Sequence, residues 1–251
     1  MIKNGIVVRN VERADARVVK RLAVTGVATV HEAAGRTGLL HPYLRPIYPN
    51  ARAAGTAVTV LCQPGDNLMV HLAVECCRPG DLLVVAVSSA STDGFIGELL
   101  ATSLRAQGVT AVVIDAGVRD VAVLREMEFP VWARAVSAQG TVKATAGAVN
   151  VPVVCAGQLI EPGDPILADD DGIVRVPALS AADVADRAEA RVRYEAQLKE
   201  KLASGEFGAD LYGLRDVALR EGIAYVGGAT AAEGYDLSPL LAPDREAVQD
   251  Q

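Results

Sequence analysis

Between Thr92 and Asp120 the chain reads TDGFIGELLATSLRAQGVTAVVIDAGVRD. Gly94 and Gly97 lead into Glu98-Leu99-Leu100-Ala101, the start of a helix that Gly108 ends. An apolar strand follows and stops at Asp115, and Arg119-Asp120 come next. The first turn of a helix leaves N–H groups without partners, which suits an anion, and glycines before it let a ligand approach the backbone. Arg119 can pair with a carboxylate or with an oxyanion that develops beside it. Asp120 is a hard oxygen ligand suited to Mg²⁺ or Mn²⁺. Glu98 can hold cation-bound water or act as a base. The set suits one reaction type, cation-assisted formation of an enolate next to a carboxylate. The cation polarises the carbonyl of a 2-oxo acid, Arg119 stabilises the enolate, and the free N–H groups bind the carboxylate. Plainer readings exist: Glu98 as compensation of the helix dipole, and Arg119-Asp120 as a surface pair worth about 0–1 kcal/mol.

The elements that must bring these residues together are those of a parallel α/β core. Residues 12–23 have helical spacing, and Gly26 separates them from VATVHEAAGRTG, where Thr29 and Glu32 form either a capping box or the interior of a helix ended by Gly35. The proline-bearing stretch HPYLRPIYPNA reads as irregular surface loop, and 53–61 as a strand. Asp66 is placed to cap a helix over NLMVHLAVECC, on which Asn67 and His71 share a face. DLLVVAV (81–87) is a buried parallel strand, SSASTDGF a loop, TAVVI a strand, DVAVLREME a helix and PVWARAV a strand. In such a sheet ligands gather outside the carboxyl ends of the strands, so the loops holding Gly94–Glu98 and Asp115–Asp120 are expected to face one crevice. After Ala144 short antiparallel strands and hairpins follow. Asp169-Asp170-Asp171-Gly172 is a hairpin tip; an EF-hand loop would need a longer alternating pattern ending in Glu. A long charged helix runs from an N-cap at Ser180 to Gly205, and the tail from Glu221 is expected to be partly disordered. The expected division is a catalytic core over 1–178 and a helical arm with tail over 179–251 that packs on a neighbouring subunit.

Composition excludes several classes. Of 251 residues 51% are apolar, enough for a large core, yet no run approaches the ~18 residues needed to cross a bilayer. The start of the chain lacks a signal peptide's apolar region, so a cytoplasmic protein is expected. A net charge of −7, with no basic cluster interleaved with aromatics, argues against nucleic acid. Cys62, Cys76, Cys77 and Cys155 form no CxxC pair and read as reduced, buried thiols.

GELLATSLRAQG followed by VVIDAGVRD resembles the family of 4-hydroxy-4-methyl-2-oxoglutarate/4-carboxy-4-hydroxy-2-oxoadipate aldolases, divalent-metal-dependent pyruvate aldolases related to the regulator of ribonuclease E activity A. The family signature is an acidic residue, twenty intervening positions, then Arg-Asp, matched here by Glu98 and Arg119-Asp120. TGVATVHEAAGRTGLL, GDNLMVHLAVE, EPGDPILADDDGIVRVP and SGEFGADLYGLR also look like family segments. The resemblance implies an αββα sandwich similar to the swivelling phosphohistidine domain, in trimers or hexamers with sites between subunits. It implies Asp120 as direct ligand of Mg²⁺ or Mn²⁺, Arg119 on pyruvate, and the amides of Leu99 and Leu100, after Gly97, on the carboxylate. It implies Glu98 on metal-bound water, a position where many relatives look to have Asp. A glutamate from a neighbouring subunit is expected near the metal; Glu195 matches best, with Glu200 its competitor. Asn67 and His71 are expected behind the contact residues, Glu32 is a lesser candidate, and His41 reads as structural. The implied reaction is retro-aldol cleavage of either substrate to pyruvate plus pyruvate or oxaloacetate, with oxaloacetate decarboxylation as a side activity. Rival readings are a non-catalytic protein-binding regulator and a dedicated 2-oxo acid decarboxylase.

Overall fold

The structure is a computed structural model and describes residues 5–223. The first half carries β1 (Ile6–Val7), α1 (Ala16–Thr25), α2 (Val27–Ala33), β2 (Arg45–Pro46), β3 (Ala53–Cys62) and α3 (Leu68–Ala73, continued by a 3-10 turn). Then come β4 (Asp81–Val87), β5 (Gly94–Ile96), α4 (Glu98–Ala106), β6 (Ala111–Val118), α5 (Val121–Glu126) and β7 (Val131–Val136). The short strands β8 (Ala148–Val149), β9 (Val153–Cys155), β10 (Gln158–Ile160), β11 (Pro165–Ala168) and β12 (Ile173–Arg175) precede α6 (Ala181–Ala203), α7 (Gly208–Leu211) and α8 (Leu214–Arg220).

The continuous apolar runs behave as their composition requires. β3, β4, β6 and β7 pair in parallel in that order, and β4 is buried along nearly its whole length because both faces are covered. Alternate side chains divide between two cores. Val58, Val60, Leu83, Val85, Val112 and Ile114 meet α3, α4 and α5 on one face. Ala57, Leu82, Val84, Val113 and Trp132 meet the β9–β10 ribbon and the chain around Leu40–Ala51 on the other. The architecture is a mixed α/β fold with a branched central sheet and a separate β9–β10 ribbon. The branch comes from β3, whose first residues pair antiparallel with β11 while its last pair with β8, so the hairpin of β11 and β12 stays hydrogen-bonded to the central sheet.

Three stretches differ from the expectations. The proline-rich segment is not wholly irregular, because Arg45–Pro46 adds an antiparallel edge to β7 and Leu44 is buried. The loop before α4 contains β5, which pairs with the end of β6. β6 runs on through Asp115 to Val118, since Asp115 is held within the strand by Arg134, whose Nε donates to it at 2.9 Å, and by the Ala156 N–H at 3.1 Å. Thr29 and Glu32 lie inside α2. The acidic tip is the hairpin turn expected of it: Gly172 has a φ of +154°, Asp169 accepts from the Val27 and Asp171 N–H groups, and the indole of buried Trp132 donates to its carbonyl at 2.9 Å.

The chain forms two compact units, one up to Arg193 and one from Tyr194 onward. The division falls within α6 rather than at 178/179, because Ala181, Val184, Ala185 and Ala188 on its first turns are buried with α1, α2 and β12. The Ser180 hydroxyl donates to the Pro177 carbonyl, and Gly205 follows the helix with a φ of +95°. In the second unit Arg215 pairs with Asp210, and Leu198 and Ala218 are buried. The tail after 223, including most of the stretch expected to be partly disordered, lies outside the described residues. No helix among the described residues is long and apolar enough to cross a membrane. All four cysteines are buried free thiols; burial pushes Cys62 and Cys77 up to about 12, which removes the thiolate a nucleophile needs.

One buried charge ties the N-terminal segment to the sheet. Asp81, at the head of β4, accepts from Arg13 Nε and Nη2 at 2.8 Å each, from the Thr56 hydroxyl at 2.7 Å and from the Arg78 N–H at 2.7 Å. Its side chain is 1% exposed, so removing it strands the Arg13 guanidinium against a nearly dry surface. Asp81→Ala is expected to lower the unfolding free energy by about 3–5 kcal/mol. Urea unfolding of the two proteins measures it, and a loss below ~1 kcal/mol would show that the pair does not hold the segment.

Candidate functional site

The carboxyl ends of β4, β6 and β7 carry the loops that build a cleft. β5 and the start of α4 follow β4, Arg119-Asp120 follow β6, and residues 137–145 follow β7. Asp120 turns the chain: its φ of +58° places it in the left-handed region, which Asp tolerates better than most residues, and α5 begins at once. Its Oδ2 accepts the Glu98 N–H at 3.0 Å, so the end of β6 is tied to the start of α4. Oδ1 of Asp120 has no partner among the described residues. Arg119 Nε lies 3.6 Å from Asp120 Oδ2, with both side chains about half exposed.

Glycines make room for this arrangement. A Cβ on Gly97 would overlap Asp120 Oδ2 and would sit 3.0 Å from Arg119 Cγ and Nε. A Cβ on Gly94 would lie 3.1 Å from Arg119 Cβ, and one on Gly140 would lie 3.2 Å from an Arg119 guanidinium nitrogen. Arg119 therefore runs along a track of three glycines. The N–H groups of Leu99 and Leu100 belong to the first turn of α4; the i−4 carbonyls, those of Phe95 and Ile96, lie before the helix and accept from Asn67 Nδ2 and the Arg119 N–H, and no acceptor meets the two N–H groups among the described residues. Leu100 is buried while the Leu99 side chain is 81% exposed, so the turn is anchored and its outer face open.

The opposite wall comes from α3 and from 141–145. Asn67 and His71 line the cleft, as do Thr141 and Lys143, which spacing alone did not single out. Their position depends on Asp66. Its Oδ1 accepts the Leu68 N–H at 2.9 Å, and its Oδ2 accepts the N–H groups of Ala144 at 2.8 Å and Thr145 at 2.6 Å. Asp66 thus serves the start of α3, as expected, and also clamps a segment far away in sequence. The cleft holds about 130 Å³, well below the ~300–1,000 Å³ of pockets for drug-sized ligands, and suits a small acid. Gly97, Leu99, Leu100 and Arg119 share it with Asn67 and His71, and Glu98 and Asp120 stand at its edge.

Other expected residues lie elsewhere. Glu32 pairs with Arg36 at 3.1 Å and with Arg191 at 4.0 Å, and it does not line the cleft. His41 stacks on Tyr43, with ring centroids 5.8 Å apart, in a cluster with Arg134 and Asp115. Glu195 and Glu200 are carried by the second unit.

The model of the RraA-like family (aldolase/RraA) matches residues 22–175. This chain belongs to that family. A Burkholderia multivorans protein with the provisional name 4-hydroxy-4-methyl-2-oxoglutarate aldolase is 37% identical over 155 residues, 61% of this chain and 94% of that one. A protein of the same provisional name from Halalkalibacterium halodurans is 30% identical over 145 residues, covering 58% of this chain and 69% of that one. Among solved structures, Streptomyces coelicolor RraAS2, described as an unusual member of the RNase ES inhibitor RraA family, superposes with a TM-score of 0.68 at 28% identity, covering 76% of this chain and 99% of that one.

The Asp66 clamp has a pH signature. Burial works to raise its pKa, but the N–H groups of Leu68, Ala144 and Thr145 outweigh it and hold the carboxyl below its usual range. A depressed folded pKa contributes stability that is present above the unfolded value of about 3.9 and is lost as pH falls through the folded one. Asp66→Asn is expected to lower stability at pH 7 and to flatten the fall in stability on acidification below about pH 4. Urea unfolding at a series of pH values checks this; parallel curves for the two proteins would contradict it.

Proposed function

We propose that this member of the RraA-like family is a divalent-metal-dependent carbon–carbon lyase that cleaves 4-hydroxy-4-methyl-2-oxoglutarate, 4-carboxy-4-hydroxy-2-oxoadipate or both. The observation that carries the reading is the meeting, at one small cleft, of two free helix N–H groups, an arginine lying along glycines, and an aspartate with one oxygen uncommitted. The provisional aldolase names of the relatives agree with it.

The carboxylate of the 2-oxo acid end binds the N–H groups of Leu99 and Leu100, where the helix start favours negative charge. Arg119 donates to the oxygen on C2 and strengthens its hold as that oxygen gains charge. Glu98 orients the water that takes the proton from the C4 hydroxyl. The C3–C4 bond then breaks, the hydroxyl carbon becomes the carbonyl of the departing 2-oxo acid, and the pair of electrons passes into the pyruvate enolate. Protonation at C3 completes pyruvate. Oxaloacetate reaches the same enolate by losing CO₂, so decarboxylation is expected as a side activity.

The donor set fits Mg²⁺ or Mn²⁺. Asp120 Oδ1 is uncommitted and Glu98, an exposed residue, is joined to Asp120 Oδ2 through its N–H, while no cluster of three or more His, Cys, Asp or Glu suited to a metal exists among the described residues. A hard cation that keeps most of its waters needs only one or two carboxylates plus substrate oxygens. Asp120 would hold it directly and Glu98 through water; bound there, it would supply Lewis-acid polarisation of the C2 carbonyl. Glu195, with Glu200 as its competitor, is proposed to reach the same shell from a neighbouring subunit of a trimer or hexamer. The setting proposed is the cytoplasm.

A second reading, a non-catalytic regulator, has one observation behind it, the structural likeness to an RNase ES inhibitor relative. Pyruvate release from 4-hydroxy-4-methyl-2-oxoglutarate separates the two. Release with Mg²⁺ that stops with EDTA is the expected result. No release under either condition would sink the lyase reading and leave the regulator. Within the lyase reading, Arg119→Ala is expected to lower kcat by about 10²–10³, as the loss of an oxyanion donor does. Steady-state kinetics measures it, and a tenfold or smaller change would contradict the role.

A further inference from the structure

Arg119 enters the cleft from the end of β6, and β6 is not regular there. Three residue steps on β6, from Ile114 to Gly117, face two on β7, from Ala133 to Ala135. Asp115 and Ala116 therefore share the place opposite Arg134, a β-bulge in a parallel pair, where bulges are rare. A bulge re-aims the side chains that follow it. Without it, residues 117–119 would slide by one position against β7, and their side chains would change face. β4 gives β6 no support beyond this point, since the pairing of the two strands ends at Ile114.

The residues around the bulge hold one another. Arg134, the residue opposite, reaches across to Asp115: its Nε donates to Oδ1 at 2.9 Å, and its Nη2 lies 2.7 Å from the same oxygen. The other oxygen, Oδ2, accepts the Tyr43 O–H at 3.1 Å and the Ala156 N–H at 3.1 Å. Arg134 Nη2 also donates to the Tyr43 oxygen at 2.9 Å, and its guanidinium lies 4.2 Å above the Tyr43 ring. The Asp115 carboxylate is thus gripped from β7, from the loop after α2 and from the β9–β10 turn, with its side chain 17% exposed. None of these groups lines the cleft. What they hold leads straight to it. Gly94 and Ile96 of β5 pair with Gly117 and Val118, and the Arg119 N–H donates to the Ile96 carbonyl at 2.9 Å. Gly117 sits against the Thr92 carbonyl, where a Cβ would overlap, so this contact tolerates no shift in register.

We propose that Asp115, Arg134 and Tyr43 are positioning residues for Arg119: they fix the bulge in β6, and the bulge aims the guanidinium into the cleft. The inference rests on the reading of Arg119 as the donor that stabilises the enolate. It gives a polar cluster on the face of the sheet covered by the β9–β10 ribbon a part in the chemistry without contact with substrate.

Asp115→Asn keeps the size of the side chain. Whichever way its amide turns, its NH₂ group meets a donor, the Arg134 guanidinium on one side or the Ala156 N–H on the other. With the full chain, Mg²⁺ and 4-hydroxy-4-methyl-2-oxoglutarate, the variant is expected to lose about 10–10²-fold in kcat, the cost of a small misplacement of a catalytic group, with KM within about twofold of wild type. In an Arg119→Ala background the same substitution is expected to lower kcat by less than about twofold, because the group it aims is gone. Equal losses in the two backgrounds would show that Asp115 supports the fold and not Arg119. A single variant within about twofold of wild-type kcat would show that the bulge is held without it. Either result overturns the proposal and leaves the lyase reading intact, whereas a wild-type protein that releases no pyruvate would overturn both. Should Asp115→Asn melt below the assay temperature, Tyr43→Phe, a milder change at a partly exposed residue, takes its place in the same cycle. A loss of about threefold with Arg119 present and none with Arg119→Ala is then expected, and equal losses overturn the proposal.

Discussion

The hydrogen bond from the Glu98 N–H to Asp120 Oδ2 is the constraint on which the cleft depends. It joins two loops that leave different strands of the sheet and turns their separate ends into one surface. Three consequences follow. The bond occupies the first N–H of α4 and leaves those of Leu99 and Leu100 open to a ligand. It uses one oxygen of Asp120 and frees the other. It also draws the backbone at Gly97 so close to Arg119 and Asp120 that a side chain there has no space.

Asp66 does on the opposite wall what Asp120 does on the first. Each is a carboxylate that accepts backbone N–H groups from an element distant in sequence. Such bonds to a charged acceptor are shorter and stronger than neutral ones. They suit a site whose walls are loops, because loops have few packed side chains to hold them. The sheet beneath supplies the rigid frame, and the two aspartates transmit that rigidity to the residues facing the cleft. Asp66 is 2% exposed and Asp120 is far more open, which matches their positions: one anchors from behind, the other faces the cleft with an oxygen to spare.

Much of the frame was legible in the sequence because it rests on local signals. The apolar run 81–87, the glycine after α4 and the crossover rule together specify parallel neighbours whose loops converge. The acidic residue and the Arg-Asp pair twenty positions on could then be read as one site. What was not legible depends on contacts without a local signature. β5 is three residues long and exists because β6 continues past Asp115 to pair with it. The strand was read as stopping at Asp115 since a carboxylate there looks like an end; Arg134 and the Ala156 N–H, both remote in sequence, make it an interior position. Thr141 and Lys143 sit in a stretch without periodicity, and the bonds that bring them to the cleft run from Gly65, Asp66 and Asn67. Gly140 offered a hint, a glycine in a loop, but its reason is the Arg119 guanidinium lying against it.

The backbone at Asp120 can be weighed by the same magnitudes. A left-handed residue costs about 1–2 kcal/mol, somewhat less for Asp. The exposed pair with Arg119, at 3.6 Å, returns at most about 0–1 kcal/mol and does not offset that cost with any margin. The bond from the Glu98 N–H, to a charged acceptor, is worth about 1.5–3 kcal/mol and does. Asp120 is therefore kept in place by the helix start rather than by the arginine beside it. Arg119 is correspondingly little committed to its neighbour, and its guanidinium stays available to whatever charge enters the cleft. An arginine locked bidentate onto Asp120 would have given a more stable loop and a poorer anion site.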